Sequence, residues 1–172
     1  MIINGYEIKP GANLRKAVLR GVNLCWADLR KVDLREVDLR EADLREADLR
    51  RVNLCRADLR DSSFIGADLR GAYMHDADLR GAGYSVVQIM MASWGELSDD
   101  LTVELMRLDA SALPNGEALM NDWTNGGSCP LRMGGKDRVV LFKEKKRLWS
   151  PGPAKPLWEL WEMIAKECGV RI

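Results

Sequence analysis

The sequence predicts a mainly β solenoid followed by a mainly α-helical module, and three observations carry that prediction. Residues 12–86 repeat every five positions, fifteen times without an insertion. Within that run the apolar spacing alternates between two and three residues. Beyond Val86 the period stops and the composition changes, with five of the six tryptophans falling there against Trp26 alone in the repeats.

The period overrides local propensity. Ala, Leu, Arg and Glu are strong helix formers, so ADLREADLRE taken alone reads as a helix. At about 100° per residue, however, every fifth residue advances by about 140°, which would scatter the leucines around the whole circumference. A continuous strand fails as well, because its inward positions must recur every second residue. The pattern that remains is a chain turning one corner per repeat, with two residues inward and three outward.

The columns fit that geometry. The central position is Leu in twelve of fifteen repeats, from Leu14 to Leu79, with Phe64, Met74 and Tyr84 as the larger exceptions. Two residues earlier stands Ala ten times, Val four times and Ser62 once. These two columns face inside. The residue before the centre is mostly Asp or Asn, the one after it is Arg ten times, and the fifth is a residue suited to a solvated corner.

The A(D/N)LRx run resembles the pentapeptide-repeat family over 75 of the 172 residues. The resemblance implies a right-handed quadrilateral β-helix with four repeats per coil, hence almost four coils. At an inter-coil spacing of about 4.8 Å the stack should stand roughly 18–20 Å tall. Burial of each Leu is worth about 1.5–3 kcal/mol, which offsets much of the ordering cost of the segment. Solenoid ends need covering, since an open coil is an exposed sheet edge.

The flanks supply the covers. Residues 1–11 read as a short strand carrying Ile2, Ile3, Tyr6 and Ile8, closed by Pro10-Gly11 and lying across the first coil. Residues 87–172 read as a helical module on the last coil, where Phe64, Ile65, Tyr73, Met74 and Tyr84 make the repeats more apolar. Ser98-Asp99-Asp100 signals a helix start, with Leu101, Leu105 and Leu108 on one face. A second helix runs from about Leu113-Pro114-Asn115-Gly116 to Trp123, ended by Asn125-Gly126-Gly127. Residues 128–143 read as loop with a strand at Arg138–Phe142. Pro151, Pro153 and Pro156 precede a last helix striped by Leu157, Leu160, Trp161 and Ile164, with Gly169 as its stop. The pairing of repeats with such a module looks like arrangements in phage-encoded and bacterial proteins.

Composition narrows the function. Lys+Arg and Asp+Glu are both 26, so no global charge points to nucleic acid or an anionic membrane. No stretch of eighteen apolar residues and no signal peptide are present, and the cytoplasm is the expected compartment. Cys25, Cys55, Cys129 and Cys168 read as free thiols, although Cys129 and Cys168 could approach one another. With His75 as the single histidine and no closely spaced cysteines, no zinc site and no cofactor are expected.

Chemistry finds little support. Cys55 and His75 occupy equivalent outward positions one coil apart, but a flat β-helix face offers neither a cleft nor an orienting group, so no enzyme is expected. The family resemblance also raises DNA mimicry, in which quinolone-resistance members present an acidic rod to gyrase. The repeats here hold thirteen acidic and fourteen basic residues, and Arg interrupts every face. A column of Arg30, Arg50 and Arg70 stands beside Asp28, Asp48 and Asp68, leaving too little excess charge for more than weak nucleic-acid binding. The two threonines, Thr102 and Thr124, lie outside the repeats, which removes an ice-binding reading.

The expected role is a non-catalytic structural or protein–protein interaction protein whose partner is another protein. Its candidate interaction surface comprises Trp149, Trp158 and Trp161, amphipathic anchors of the kind interfaces favour, together with Arg30, Arg50 and Arg70. The competing reading packs those tryptophans into the module's own core. Either a monomer or a homodimer fits.

Overall fold

The computed structural model describes residues 1–90, 92–94, 97–126, 142 and 144–172, and of residues 87, 88 and 123 the backbone alone. The repeats form a β-solenoid. Its rungs are parallel bridges between residues twenty apart, such as Asn13 to Asp33, Asp33 to Asn53 and Asn53 to Tyr73, so four pentapeptides complete each circuit. Leu14 N donates to Asp33 O at 2.8 Å and Asp33 N to Ala12 O at 2.9 Å, and this two-way pattern recurs up the shaft.

Each corner is a four-residue turn. Ala17 N donates back to Leu14 O at 3.0 Å, and the corner residue between them, Lys16, has φ of 61°. Positive φ at the third position is the mark of a type II turn. Glycine takes it at 21, 66, 71 and 81, but Trp26, Lys31, Glu36, Glu41, Glu46, Arg51, Arg56, Asp61 and Asp76 adopt it too, with φ between 58° and 62°. A side chain in that region costs about 1–2 kcal/mol, and the ladder on either side holds it there.

Inside, the leucine and small-residue columns pack together as the core. Leu19, Leu29, Leu34, Leu39 and Leu49 are wholly buried. The space along Leu44, Leu54, Phe64 and Met74 has no room for a water molecule. The column Leu24–Leu44–Phe64–Tyr84 enlarges as it ascends, and the Phe64 and Tyr84 rings stack with centroids 5.5 Å apart.

The N-terminal segment is a hairpin rather than the single strand expected. Strand β1 (Ile2–Ile3) pairs antiparallel with β2 (Tyr6–Glu7) across Asn4-Gly5, whose φ values are 51° and 82°. Asn-Gly with both residues at positive φ makes a tight hairpin turn, a signal present in the sequence. Ile8 is buried against the shaft, and Gly11 N donates to Arg30 O at 2.9 Å.

The period also outlasts Val86. After helix α1 (Val86–Met90), Ala92-Ser93-Trp94 resumes the count: Ser93 bridges Tyr73, its amide donates to Ala72 O at 2.7 Å, and Trp94 is buried at the central position. Helix α2 (Asp99–Ser111) starts at Ser98, whose hydroxyl accepts from Leu101 N at 3.3 Å. Helix α3 spans Gly116–Thr124, a 3₁₀ turn spans Lys146–Leu148, and α4 spans Leu157–Glu167. Helix α4 packs on α1 and α2, and α2 on α3. Leu160, Trp161 and Ile164 face the core as expected, whereas Leu157 remains 37% exposed. The strand expected at 138–142 lies outside the described residues except for Phe142, which is buried.

Candidate interaction surfaces

Leu29 points inward, so Asp28 and Arg30 both point outward, two residues apart on one strand face. Their side chains form a fork: Arg30 Nε donates to Asp28 Oδ1 at 2.8 Å and Nη2 to Oδ2 at 2.6 Å. The same fork recurs at Arg35–Asp33, Arg40–Asp38, Arg45–Asp43, Arg50–Asp48, Arg60–Asp58, Arg70–Asp68 and Arg80–Asp78. A longer contact links each of several Arg to the Asp one coil above, as from Arg30 Nε to Asp48 Oδ2 at 3.6 Å and from Arg50 Nε to Asp68 Oδ2 at 3.6 Å.

The expected compensation between columns therefore acts first within each repeat. The fork holds these carboxyls below their usual range, with Asp43 lowered to about 2 chiefly by its hydrogen bonds from Arg45. It likewise raises the arginines, as the Asp28 hydrogen bond does Arg30. Exposed pairs of this kind are screened by solvent, so their main effect is to cancel charge. Arg30, Arg50 and Arg70 are thus committed to aspartates rather than free for phosphate.

Burial is the largest influence on the Cys55 thiol and raises its pKa, opposite to the activation a nucleophile needs. The His75 carbonyl accepts the Arg56 amide at 2.8 Å as an ordinary ladder bond. Cys25, Cys55 and Cys168 are free thiols, and Cys129 lies outside the described residues. Cys168 is pushed up to about 12 by burial. Among the described residues no group of His, Cys, Asp or Glu is placed to hold a metal ion.

The three candidate tryptophans separate. Trp161 is buried: its ring lies edge-on to Tyr84 and 5.5 Å from the Trp94 ring, which gives it the core role. Trp158 is 60% exposed on the first turn of α4. Trp149 donates through Nε1 to Asn121 Oδ1 at 2.7 Å and rims an open groove of about 540 Å³. Arg107, Leu113, Asn115 and Glu117 also line that groove. Arg107 fixes one wall, bonding Glu104 Oε1 at 2.7 Å and Ser150 O at 3.0 Å. The sequence shows Trp149 as a candidate but carries no local sign of Asn121 or Arg107, which a turn between helices brings to it.

A family model described as pentapeptide repeats matches residues 11–45 and 47–82 in eight copies. Among solved structures, the pentapeptide repeat protein Rfr23 from the cyanobacterium Cyanothece 51142 is 30% identical, over 44% of this chain and 58% of its own, with a TM-score of 0.40. The chain thus spans somewhat more than half the length of that relative. The pentapeptide repeat protein alr5209 from Nostoc Pcc 7120 is 31% identical, over 43% of this chain and 71% of its own, with a TM-score of 0.31. Trypsin-treated QnrB1, a plasmid-mediated fluoroquinolone resistance protein, is 26% identical, over 43% of this chain and 41% of its own, with a TM-score of 0.27. No curated protein matches the sequence.

Proposed function

We propose, because this chain belongs to the pentapeptide-repeat family, that it is a non-catalytic protein–protein interaction protein in which a rigid shaft presents a helical recognition surface. Membership implies a right-handed coil of almost four turns, and the twenty-residue bridge spacing supports its four-sided section. The observation that carries the reading is a contrast between the two halves. Eight arginines of the repeats are forked on the aspartate of their own repeat, while the helical part leaves Trp158 exposed and sets Trp149 on an open groove. Residues 87–172 are the proposed recognition module, with a protein as partner and the chain a monomer or a homodimer.

Among the described residues no helix is long and apolar enough to cross a membrane. The free thiols support a cytoplasmic setting. A gyrase-directed DNA mimic needs a face of dominant negative potential, and the Asp–Arg forks favour a neutral sheath instead. A supercoiling assay separates the readings: gyrase activity unchanged at micromolar protein supports the interaction protein, and inhibition at that level supports the mimic. Capture of partners by the full chain, compared with Trp158→Ala and with Arg30→Ala/Arg50→Ala, locates the surface. Loss with Trp158→Ala alone supports the helical assignment, and loss with the arginine variant alone defeats it.

A further inference from the structure

We infer that the helical part is an insertion into the solenoid, and that the last five residues are a detachable closing repeat docked on a strand-binding edge of the shaft. On the face of residues 18, 38, 58 and 78 the five-residue count places the next rung at residue 98. Ser98 instead begins α2, and the rung is supplied by Arg171, which bridges Asp78 in parallel.

The match covers the ladder bonds but not the corner, where Val170 N donates to Ala165 O at 2.9 Å while Ala77 N donates to Met74 O at 3.2 Å. One coil below, Arg56 N donates to His75 O at 2.8 Å, Leu59 N to Asp78 O at 2.9 Å, and Asp78 N to Ala57 O at 2.9 Å. At the closing level, Asp76 N donates to Cys168 O at 3.0 Å, Leu79 N to Arg171 O at 2.7 Å, and Arg171 N to Ala77 O at 3.0 Å. Cys168 to Ile172 therefore take the places that the count gives to residues 95–99, after Trp94 has filled the preceding central position.

Three side chains suit their borrowed places, while Ile172, at the central place of the count, stays 49% exposed and Cys168, at an outward place, is buried. Gly169, with φ of 67°, is the corner, and a Cβ there would lie 2.4 Å from Asp76 Oδ1. Gly66 over Glu46 and Gly81 over Asp61 show the same relation in the continuous repeats. Val170 is buried in the small-residue column. Arg171 stands where the repeats put Asp, and its Nη2 lies 3.3 Å from Asp78 Oδ2, a carboxylate only 4% exposed. The edge from Asp76 to Leu79 is thus a site for a strand with glycine, a small aliphatic residue and a basic residue in succession, filled here by Cys168–Ile172. Backbone bonds give such strand addition its affinity and side-chain pockets its selectivity.

The docked strand also latches the helices. It follows directly on α4, whose last residue, Glu167, accepts from Ser98 Oγ at 2.6 Å at the start of α2. Release of the strand frees this contact, whichever partner the module recognises.

Amide hydrogen exchange on the full chain tests this. In the unmodified protein, Asp76 and Leu79 should exchange at least tenfold faster than Leu39 and Asp58, the gap closing only as global unfolding takes over. Arg171→Glu, which sets a carboxylate against Asp78, should accelerate Asp76 and Leu79 about tenfold or more and leave Leu39 and Asp58 unchanged. Millimolar peptide Cys-Gly-Val-Arg-Ile added to that variant should restore protection at Leu79. Exchange of all four amides together in the unmodified protein overturns the detachable repeat. So does wild-type protection of Leu79 in the variant, and failure of the peptide to protect overturns the strand-binding edge.

Discussion

Trp161 Nε1 donates to Tyr84 Oη at 3.1 Å, and the two rings meet edge to face with centroids 6.0 Å apart. Tyr84 belongs to the last uninterrupted repeat and Trp161 to α4, so this pair joins the aromatic top of the shaft to the helices. Tyr84→Phe keeps the ring but leaves the indole N–H of a buried tryptophan without its acceptor. The expected loss is about 1–3 kcal/mol, read by urea denaturation, and an unchanged midpoint refutes it. Trp161→Ala removes the ring and should cost about 3–5 kcal/mol.

A single leucine in the middle of the shaft should matter as much. Leu39 is wholly buried in the shaft. Leu39→Ala is expected to cost about 2–5 kcal/mol, because flanking rungs prevent the coil from collapsing into the cavity. A thermal melt followed by circular dichroism checks it. A shift too small to resolve would mean that the coils can close up.

Arg51 offers a change in the other direction. It is a corner residue with φ of 59°. Arg51→Gly removes a left-handed penalty of about 1–2 kcal/mol and adds about 0.5–1 kcal/mol of chain entropy to the unfolded state. The net expectation is a gain of up to about 1 kcal/mol, seen as a raised denaturation midpoint. A lowered midpoint would mean that the arginine contributes more than its backbone costs.

Acid should weaken the solenoid before it weakens the helices. The forked aspartates, Asp28 to Asp78, have folded pKa values below the unfolded carboxylate value near 3.8. A lowered folded pKa stabilises fully above the unfolded value and is lost as pH falls through the folded one. The window therefore lies between about pH 4 and the value near 2 of Asp43. Melting temperature should hold steady from pH 7 to about 5 and decline below about 4. A decline beginning near pH 6 would refute the assignment to the aspartates.

The solenoid was legible in the sequence because its rule is local and repeated. Leu29 inward obliges Asp28 and Arg30 outward, and that alternation foreshadows the fork as well as the shaft. The hairpin was legible too, in Asn4-Gly5, though four neighbouring apolar residues suggest one strand. The stripe of Leu157, Leu160, Trp161 and Ile164 already set Trp161 apart from Trp158, and packing against Tyr84 and Trp94 decides that Trp161 belongs to the core rather than to a partner surface. The groove beside Trp149 depends on Asn121 and Arg107, which stand on separate helices.

By itself, then, the sequence determined a column of apolar side chains with a charged exterior and one corner per repeat, since a period of five admits no helix or flat strand that buries the same columns. The tertiary structure alone decided where that column ends. Ala92-Ser93-Trp94 continues it through a sequence too degenerate to read, and Cys168–Ile172 closes it from the far end of the chain. A rung needs only backbone partners, a small inward residue and a permissive corner, and a segment distant in sequence can supply all three once the helices between have folded it back.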